Sequence, residues 1–201
     1  MPAKPIMIGI AGGSCSGKSS IARRVVELAG KPALVLALDS YYHDFSGVRE
    51  EDIEVDLPEA LDGALFARHC RALAEGRRVD KPVYDFATHS RKRTREPIEP
   101  GELVIIEGLF ALYWPEVREL LDLSVFVTID HGTALNRRIA RDTRERGRTE
   151  ASVRAQYRDK VRPNFDEFVL PTMETADVVV SGLDPVDVSA REVVSRLPRT
   201  G

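Results

Sequence analysis

An α/β fold, a parallel sheet flanked by helices, is what this sequence predicts, on three observations. Short β-branched apolar runs alternate with longer amphipathic stretches, the order that wraps helices around a sheet. Each run is nearly continuous in apolar residues, as strands buried on both faces are. The 201 residues suit one such domain, enough to hide roughly 70 to 75% of the extended chain's surface without disulfide staples.

In chain order the strands are expected at 6–11, 34–38, 103–106, 124–129 and 178–180. Helices are expected over 18–28, 59–74, 116–121, 133–144, 152–168 and 185–197, with Gly30 and Gly76 as stops. Residues 82–100 fit neither kind of element: aromatics, three prolines and a basic run mark a β-hairpin insertion, a place where substrate contacts gather. No internal repeat or long linker divides the chain, so 1–201 reads as a single domain.

The formal net charge of −3 gives no global reason to bind nucleic acid or membrane, so any anion site must be local. Cys15 and Cys70 have no metal-ligand spacing, no secretory apolar region precedes them, and no run is long enough to span a bilayer. A cytoplasmic protein is the expectation.

Gly12-Gly13-Ser14-Cys15-Ser16-Gly17-Lys18-Ser19 fits G-x-x-x-x-G-K-[ST] and lies directly between the first strand and the first helix. That context makes it a phosphate-binding P-loop. Glycines turn backbone N–H groups inward as an anion nest, and the helix start, continuing through Ser20, adds positive partial charge. Lys18 would reach the β- and γ-phosphates of ATP, and the Ser19 hydroxyl would face Mg²⁺. In open α/β sheets ligands bind beyond the carboxyl ends of the strands, where Asp39 and Glu107 each close an apolar run. Either could merely cap the next segment. Beside a P-loop, Asp39 is the candidate general base and, with Ser19 and Glu107, stands on the metal side.

Arg137, Arg138, Arg141, Arg144, Arg146 and Arg148 crowd a helix end and the turn at Gly147. A solvated helix face is the plain reading. Arg138 and Arg141, however, share a face, and Arg146-Gly147-Arg148 follows on a hinge-capable glycine, so 137–156 reads as an arginine-rich lid that clamps phosphate and expels water. The motif order from P-loop to lid predicts a P-loop NTPase-type fold.

Three further segments complete a pattern: Asp39-Ser40-Tyr41-Tyr42-His43-Asp44, the hairpin sequence Pro82-Val83-Tyr84-Asp85-Phe86-Ala87-Thr88-His89-Ser90-Arg91, and Arg141-Asp142 through Arg148. In this order they resemble the uridine and cytidine kinases of the phosphoribulokinase and uridine kinase superfamily, from about residue 6 to 180. The resemblance implies a kinase using ATP and Mg²⁺ on the 5′-hydroxyl of uridine or cytidine in pyrimidine salvage, with no nucleic-acid or membrane partner and often assembled as a homotetramer. It implies that Tyr84 and His89 meet the pyrimidine edge with Phe86 nearby, and that Asp56, Arg138 and Gln156 hold the ribose. Asp39, Lys18 and Arg141 would serve the transfer, with Arg146 and Arg148 on the nucleotide. The family's Asn-aromatic-Asp-His-Pro stretch is here Glu54-Val55-Asp56-Leu57-Pro58, and its Pro-Arg-Gly after the last strand is here Ser181-Gly182-Leu183-Asp184, where Asp184 would meet adenine.

The P-loop and lid alone fit a kinase of another small alcohol equally, phosphoribulokinase-like or pantothenate-like, and the hairpin argues against it. A nucleotide-dependent switch lacks the guanine-reading Asn-Lys-x-Asp segment, and an RNA-binding module lacks a stacking platform. Uridine against cytidine and ATP against GTP are not legible, and neither is feedback control or whether Cys15, at an electropositive helix start, is redox-active.

Overall fold

The computed structural model describes residues 4–49, 52–54 and 56–198. Its centre is a five-stranded parallel sheet: β1 (Ile6–Gly12), β2 (Ala33–Ala37), β5 (Leu103–Glu107), β6 (Leu123–Thr128) and β7 (Val178–Ser181), ordered β2-β5-β1-β6-β7. β1 is central because both its edges pair: Ile6 to Ile10 with Leu103 to Glu107, and Ile8 to Gly12 with Leu123 to Val127. All five expected strands are present.

Period-2 alternation splits each strand between two apolar layers. Ile6, Ile8 and Ile10 join Ile21 and Val25 of α1 (Lys18–Ala29) and Val193 of α7 (Val186–Ser195). Met7 and Ala11 face the other way, toward Phe66 and Leu73 of α2 (Gly63–Ala74). That second layer also takes Val79 and Ile98, the outer ends of the hairpin strands β3 (Val79–Asp85) and β4 (Ser90–Ile98). The hairpin is an antiparallel pair of its own, with a register shift between Pro82 and Tyr84. It begins three residues earlier than expected because Val79 is drawn into the core.

Helix boundaries differ from expectation where capping decides them. The helix expected over 59–74 starts at Gly63, because the Asp62 carboxylate accepts from Leu65 N at 3.0 Å and fixes the start; Pro58–Ala60 before it is a 3₁₀ turn. The helix expected over 116–121 is one turn, α3 (Pro115–Arg118), and Arg118 donates to the carbonyls of Leu112 and Tyr113.

The lid helix α4 (His131–Glu145) is capped by Asp130, whose carboxylate accepts from Thr133 N. The helix expected over 152–168 is instead α5 (Glu150–Gln156), a π-helical Tyr157–Val161, a turn α6 (Arg162–Asn164), and a π-helical Phe165–Val169. The stretch stays helical throughout, and Pro163, which lacks an N–H and whose ring crowds the carbonyl four residues back, sits in the short α turn between its two π-wound segments. Among the described residues no helix is long and apolar enough to cross a membrane.

Candidate active site

The carboxyl ends of the strands converge on a cavity of about 490 Å³, lined from the P-loop by Ser14 to Ser20 and from the strand ends by Asp39 and Glu107. Gly12 makes the loop possible. Its φ is +143°, and a Cβ there would lie 2.4 Å from Val127 O on the paired strand, so any side chain would push β1 and β6 apart. Lys18 is buried and donates from Nζ to Gly13 O at 2.7 Å, folding back over its own loop. Burial lowers its pKa, opposed by the charges of Glu107 and Asp39. Ser16 Oγ is buried with no hydrogen-bond partner among the described residues. Cys15 holds φ at +61°, in the left-handed region.

Ser19 Oγ donates to Glu107 Oε1 at 3.0 Å, bringing two hard oxygen donors together at the helix start. This pair suits magnesium. Among the described residues no three His, Cys, Asp or Glu side chains gather around one point, so a metal here would complete its shell with phosphate oxygens and water. Asp39 opens the 3₁₀ turn Leu38–Tyr41 that follows β2. Burial, and then the charge of Glu107, push its pKa up to about 6, against Lys18 and Arg146.

The lid touches the P-loop directly: Arg137 donates to Cys15 O at 3.3 Å, and Arg138 donates to Ser14 Oγ at 2.9 Å and to Gln156 Oε1 at 3.1 Å. Arg138 is also 3.7 Å from the buried Asp56 carboxylate. Arg138, Arg141 and Arg146 all line the main cavity. From the sheet's far edge comes the loop after β7. A Cβ on Gly182 would fall 2.1 Å from Ser16 O, and this contact brings Asp184 and Val186 to the cavity wall.

A second cavity, about 450 Å³, adjoins the first and is lined by Ile53, Phe86, His89, Arg148 and Gln156 among others. Phe86, Arg138 and Arg146 line both, so the two cavities are neighbours that share a wall. The Arg146 guanidinium lies 5.3 Å above the Phe86 ring, a cation–π contact from lid to hairpin. Tyr84 packs beside Phe86 and Tyr42, with ring centroids at 5.0 and 5.3 Å. Its hydroxyl is buried with no hydrogen-bond partner among the described residues, and it lines neither cavity.

The Phosphoribulokinase / Uridine kinase family model matches residues 7–189. The chain belongs to this family. A uridine kinase from Deinococcus deserti is 44% identical over 88% of this chain and 87% of its own length. One from Ligilactobacillus salivarius is 40% identical over 88% and 85%. Among solved structures, phosphoribulokinase from Rhodobacter spheroides shares the fold with a TM-score of 0.68 at 17% identity, covering 89% of this chain and 70% of its own. A possible uridine kinase from Bacillus stearothermophilus gives 0.58 at 19%, covering 89% and 90%.

Within this family fold, the expected site residues divide. Ser14, Cys15, Ser16, Gly17, Lys18, Ser19, Ser20, Asp39, Asp56, Glu107, Arg141 and Asp184 meet at the main cavity. His89, Arg148 and Gln156 stand on the second, while Gly12, Gly13 and Tyr84 support the walls from behind. Val55 lies outside the described residues. The sequence places Tyr42 and Arg137 only within the 39–44 segment and the arginine cluster and gives neither a role of its own; both line the main cavity. Tyr42 directly follows the Asp-Ser-Tyr stretch, a signal that was available; the buried acid Asp142, lost among arginines, offered none.

Proposed function

We propose that this chain is an ATP-dependent uridine and cytidine kinase that forms ADP and the nucleoside 5′-monophosphate. The observation that carries it is the adjacency of two cavities: the P-loop cavity shares Phe86, Arg138 and Arg146 with a second cavity walled by the hairpin residues Phe86, Ala87 and His89. The identity of 44% and 40% to proteins named uridine kinase over most of the chain supports the substrate class.

P-loop amides and Lys18 hold the β- and γ-phosphates. Asp39, half-buried and with its pKa raised to about 6, takes the proton of the 5′-hydroxyl as that oxygen attacks the γ-phosphorus and the bond to the β–γ bridging oxygen breaks. Ser19 and Glu107, with Asp39 near, would hold Mg²⁺, which neutralises charge on the phosphate oxygens. Arg141 and Arg146 stabilise charge growing on the equatorial oxygens, and lid 137–156 keeps water out. Asp56, Arg138 and Gln156 meet the ribose, while His89, Tyr84 and Phe86 meet the base. Arg148 and Asp184 attend the nucleotide. The whole acts as one domain, in the cytoplasm, as a homo-oligomer that is tetrameric by family resemblance.

The test is ADP release measured with uridine, cytidine, adenosine, ribulose 5-phosphate and pantothenate. Uridine and cytidine are expected to lead. A small alcohol turning over faster than both would overturn the reading.

A further inference from the structure

Asp142 has none of its surface exposed, yet it is not among the residues lining either cavity described above. Around its carboxylate stand three guanidinium groups: Arg141 Nε donates to Oδ1 at 2.8 Å, Arg138 Nε is 3.6 Å from Oδ2, and Arg146 Nε is 3.6 Å from Oδ1. Its backbone carbonyl accepts from Arg146 N at 3.1 Å and Arg148 N at 3.2 Å, which closes the turn through Gly147. Side chain and main chain of one residue thus organise four arginines of the lid.

Three like charges in so small a space repel, and left to themselves would splay toward water. One buried carboxylate among them offsets part of that repulsion and leaves net positive charge, aimed where Arg138, Arg141 and Arg146 line the main cavity. Oδ2 has no hydrogen-bond partner among the described residues, and neither has the buried Arg138 Nε that faces it. A group present only to tie down a helix end would satisfy both atoms. Here the carboxylate stands at ion-pair distance from Arg138 and Arg146 and takes one hydrogen bond, from Arg141, while all three arginines line the main cavity.

We infer that Asp142 is a positioning residue for phosphoryl transfer, holding Arg141 and Arg146 in the arrangement that receives the charge of the transferring group, with Arg138 fixed beside them. This rests on the kinase reading. Burial raises the Asp142 pKa, but the Arg141 hydrogen bond and the charges of Arg141, Arg146 and Arg138 outweigh it, so the carboxyl is held below its usual range and stays ionised.

The experiment compares the native chain with Asp142→Asn, which keeps the shape and removes the charge. Uridine-dependent ADP release by the native chain reports on the kinase reading; the difference between the two proteins reports on Asp142. With Mg²⁺ and uridine present, each is titrated with ADP alone and with ADP plus aluminium fluoride, a mimic of the transferring phosphoryl group. Expected is a kcat lowered about 10²-fold or more, a similar loss of affinity for the fluoride complex, and ADP affinity changed by no more than about threefold. A folded variant whose kcat stays within about twofold of native, or which loses ADP and fluoride-complex affinity in parallel, would overturn the inference. Should Asp142→Asn fail to fold, Asp142→Ser, which admits water among the guanidiniums, is read by the same two titrations.

Discussion

At the scale of single residues, chemistry depends on charge held where water would normally screen it. Asp39 is half-buried beside Glu107, so its carboxyl loses solvation and gains a like-charged neighbour, and both effects favour the proton. A carboxylate poised near neutrality accepts a hydroxyl proton in the transition state but touches the bound nucleotide little in the ground state. Asp39→Asn is therefore expected to lower kcat by about 10² or more while leaving ATP affinity within a few-fold. Stopped-assay turnover and fluorescent-nucleotide titration read the two quantities separately, and unchanged kcat removes Asp39 from the mechanism. Asp39 and Glu107 were legible because each follows or ends an apolar run beside a P-loop, Glu107 closing the buried β5 and Asp39 lying in the turn after the edge strand β2. Asp142 was not: in a run of arginines an aspartate reads as one more surface ion pair, and only burial distinguishes it.

At the scale of elements, Arg91 makes three of the hydrogen bonds that hold the hairpin to the turn carrying Asp39 and to the start of α2, beside Lys81, which donates to Ser40 Oγ at 3.2 Å. Arg91 donates to Tyr42 O at 2.8 Å, to Tyr41 O at 2.6 Å and to Asp62 Oδ2 at 3.1 Å, joining β4 to the segment just after Asp39 and to the start of α2. Asp62 is pushed up by burial, but Leu65 N–H and the Arg91 guanidinium outweigh that and hold its carboxyl below the usual range. The sign follows: the unfolded chain takes the proton first, so the pair's contribution is whole above the usual carboxylate pKa of about 3.9 and disappears as pH falls through the lower folded value. Asp62→Asn, which keeps a capping oxygen, is expected to lose about 1 to 2 kcal/mol at pH 7. Urea midpoints of both proteins between pH 7 and pH 2 should converge below about pH 4; a gap that stays constant would show that the charge contributes nothing. The hairpin's base-reading role has its own check. His89 walls the second cavity, and an imidazole offers a donor or an acceptor according to tautomer, matching either pyrimidine. His89→Phe is expected to lower kcat/KM for uridine or cytidine selectively, by about 1 to 3 kcal/mol, with ATP KM unchanged. Equal discrimination in both proteins would remove His89 from base recognition.

At the scale of the whole molecule, what was legible in the sequence is what is local: five apolar runs, of which β1, β5 and β6 are buried on both faces and the edge strands β2 and β7 are part-exposed, and a P-loop whose residues are consecutive. What was not legible depends on contacts between distant segments, such as Val79 drawing the hairpin's start into the core and Gly182 closing on Ser16. The same long-range contacts carry a prediction about cooperativity. The main cavity is walled by residues from Ser14 to Val186, and Val79 and Ile98 of the hairpin share an apolar layer with Met7 and Leu36 of the sheet. Neither hairpin nor lid has a core of comparable size to unfold around, so thermal melting should be one transition reported alike by far-ultraviolet circular dichroism and tryptophan fluorescence, the latter from Trp114 beside Phe66 and Phe110. A ligand that binds only the folded cavity must then move that whole transition. At a hundredfold excess over Kd, ADP with Mg²⁺ should add about 2.7 kcal/mol, which for a chain of this size is a rise in Tm of roughly 5 to 10 °C. Lys18→Ala removes the ammonium that would meet the phosphates, so at the same ADP concentration most of the rise should vanish. Two separate transitions, or a nucleotide shift that survives in Lys18→Ala, would mean that the hairpin or lid folds independently or that the nucleotide binds somewhere other than the P-loop.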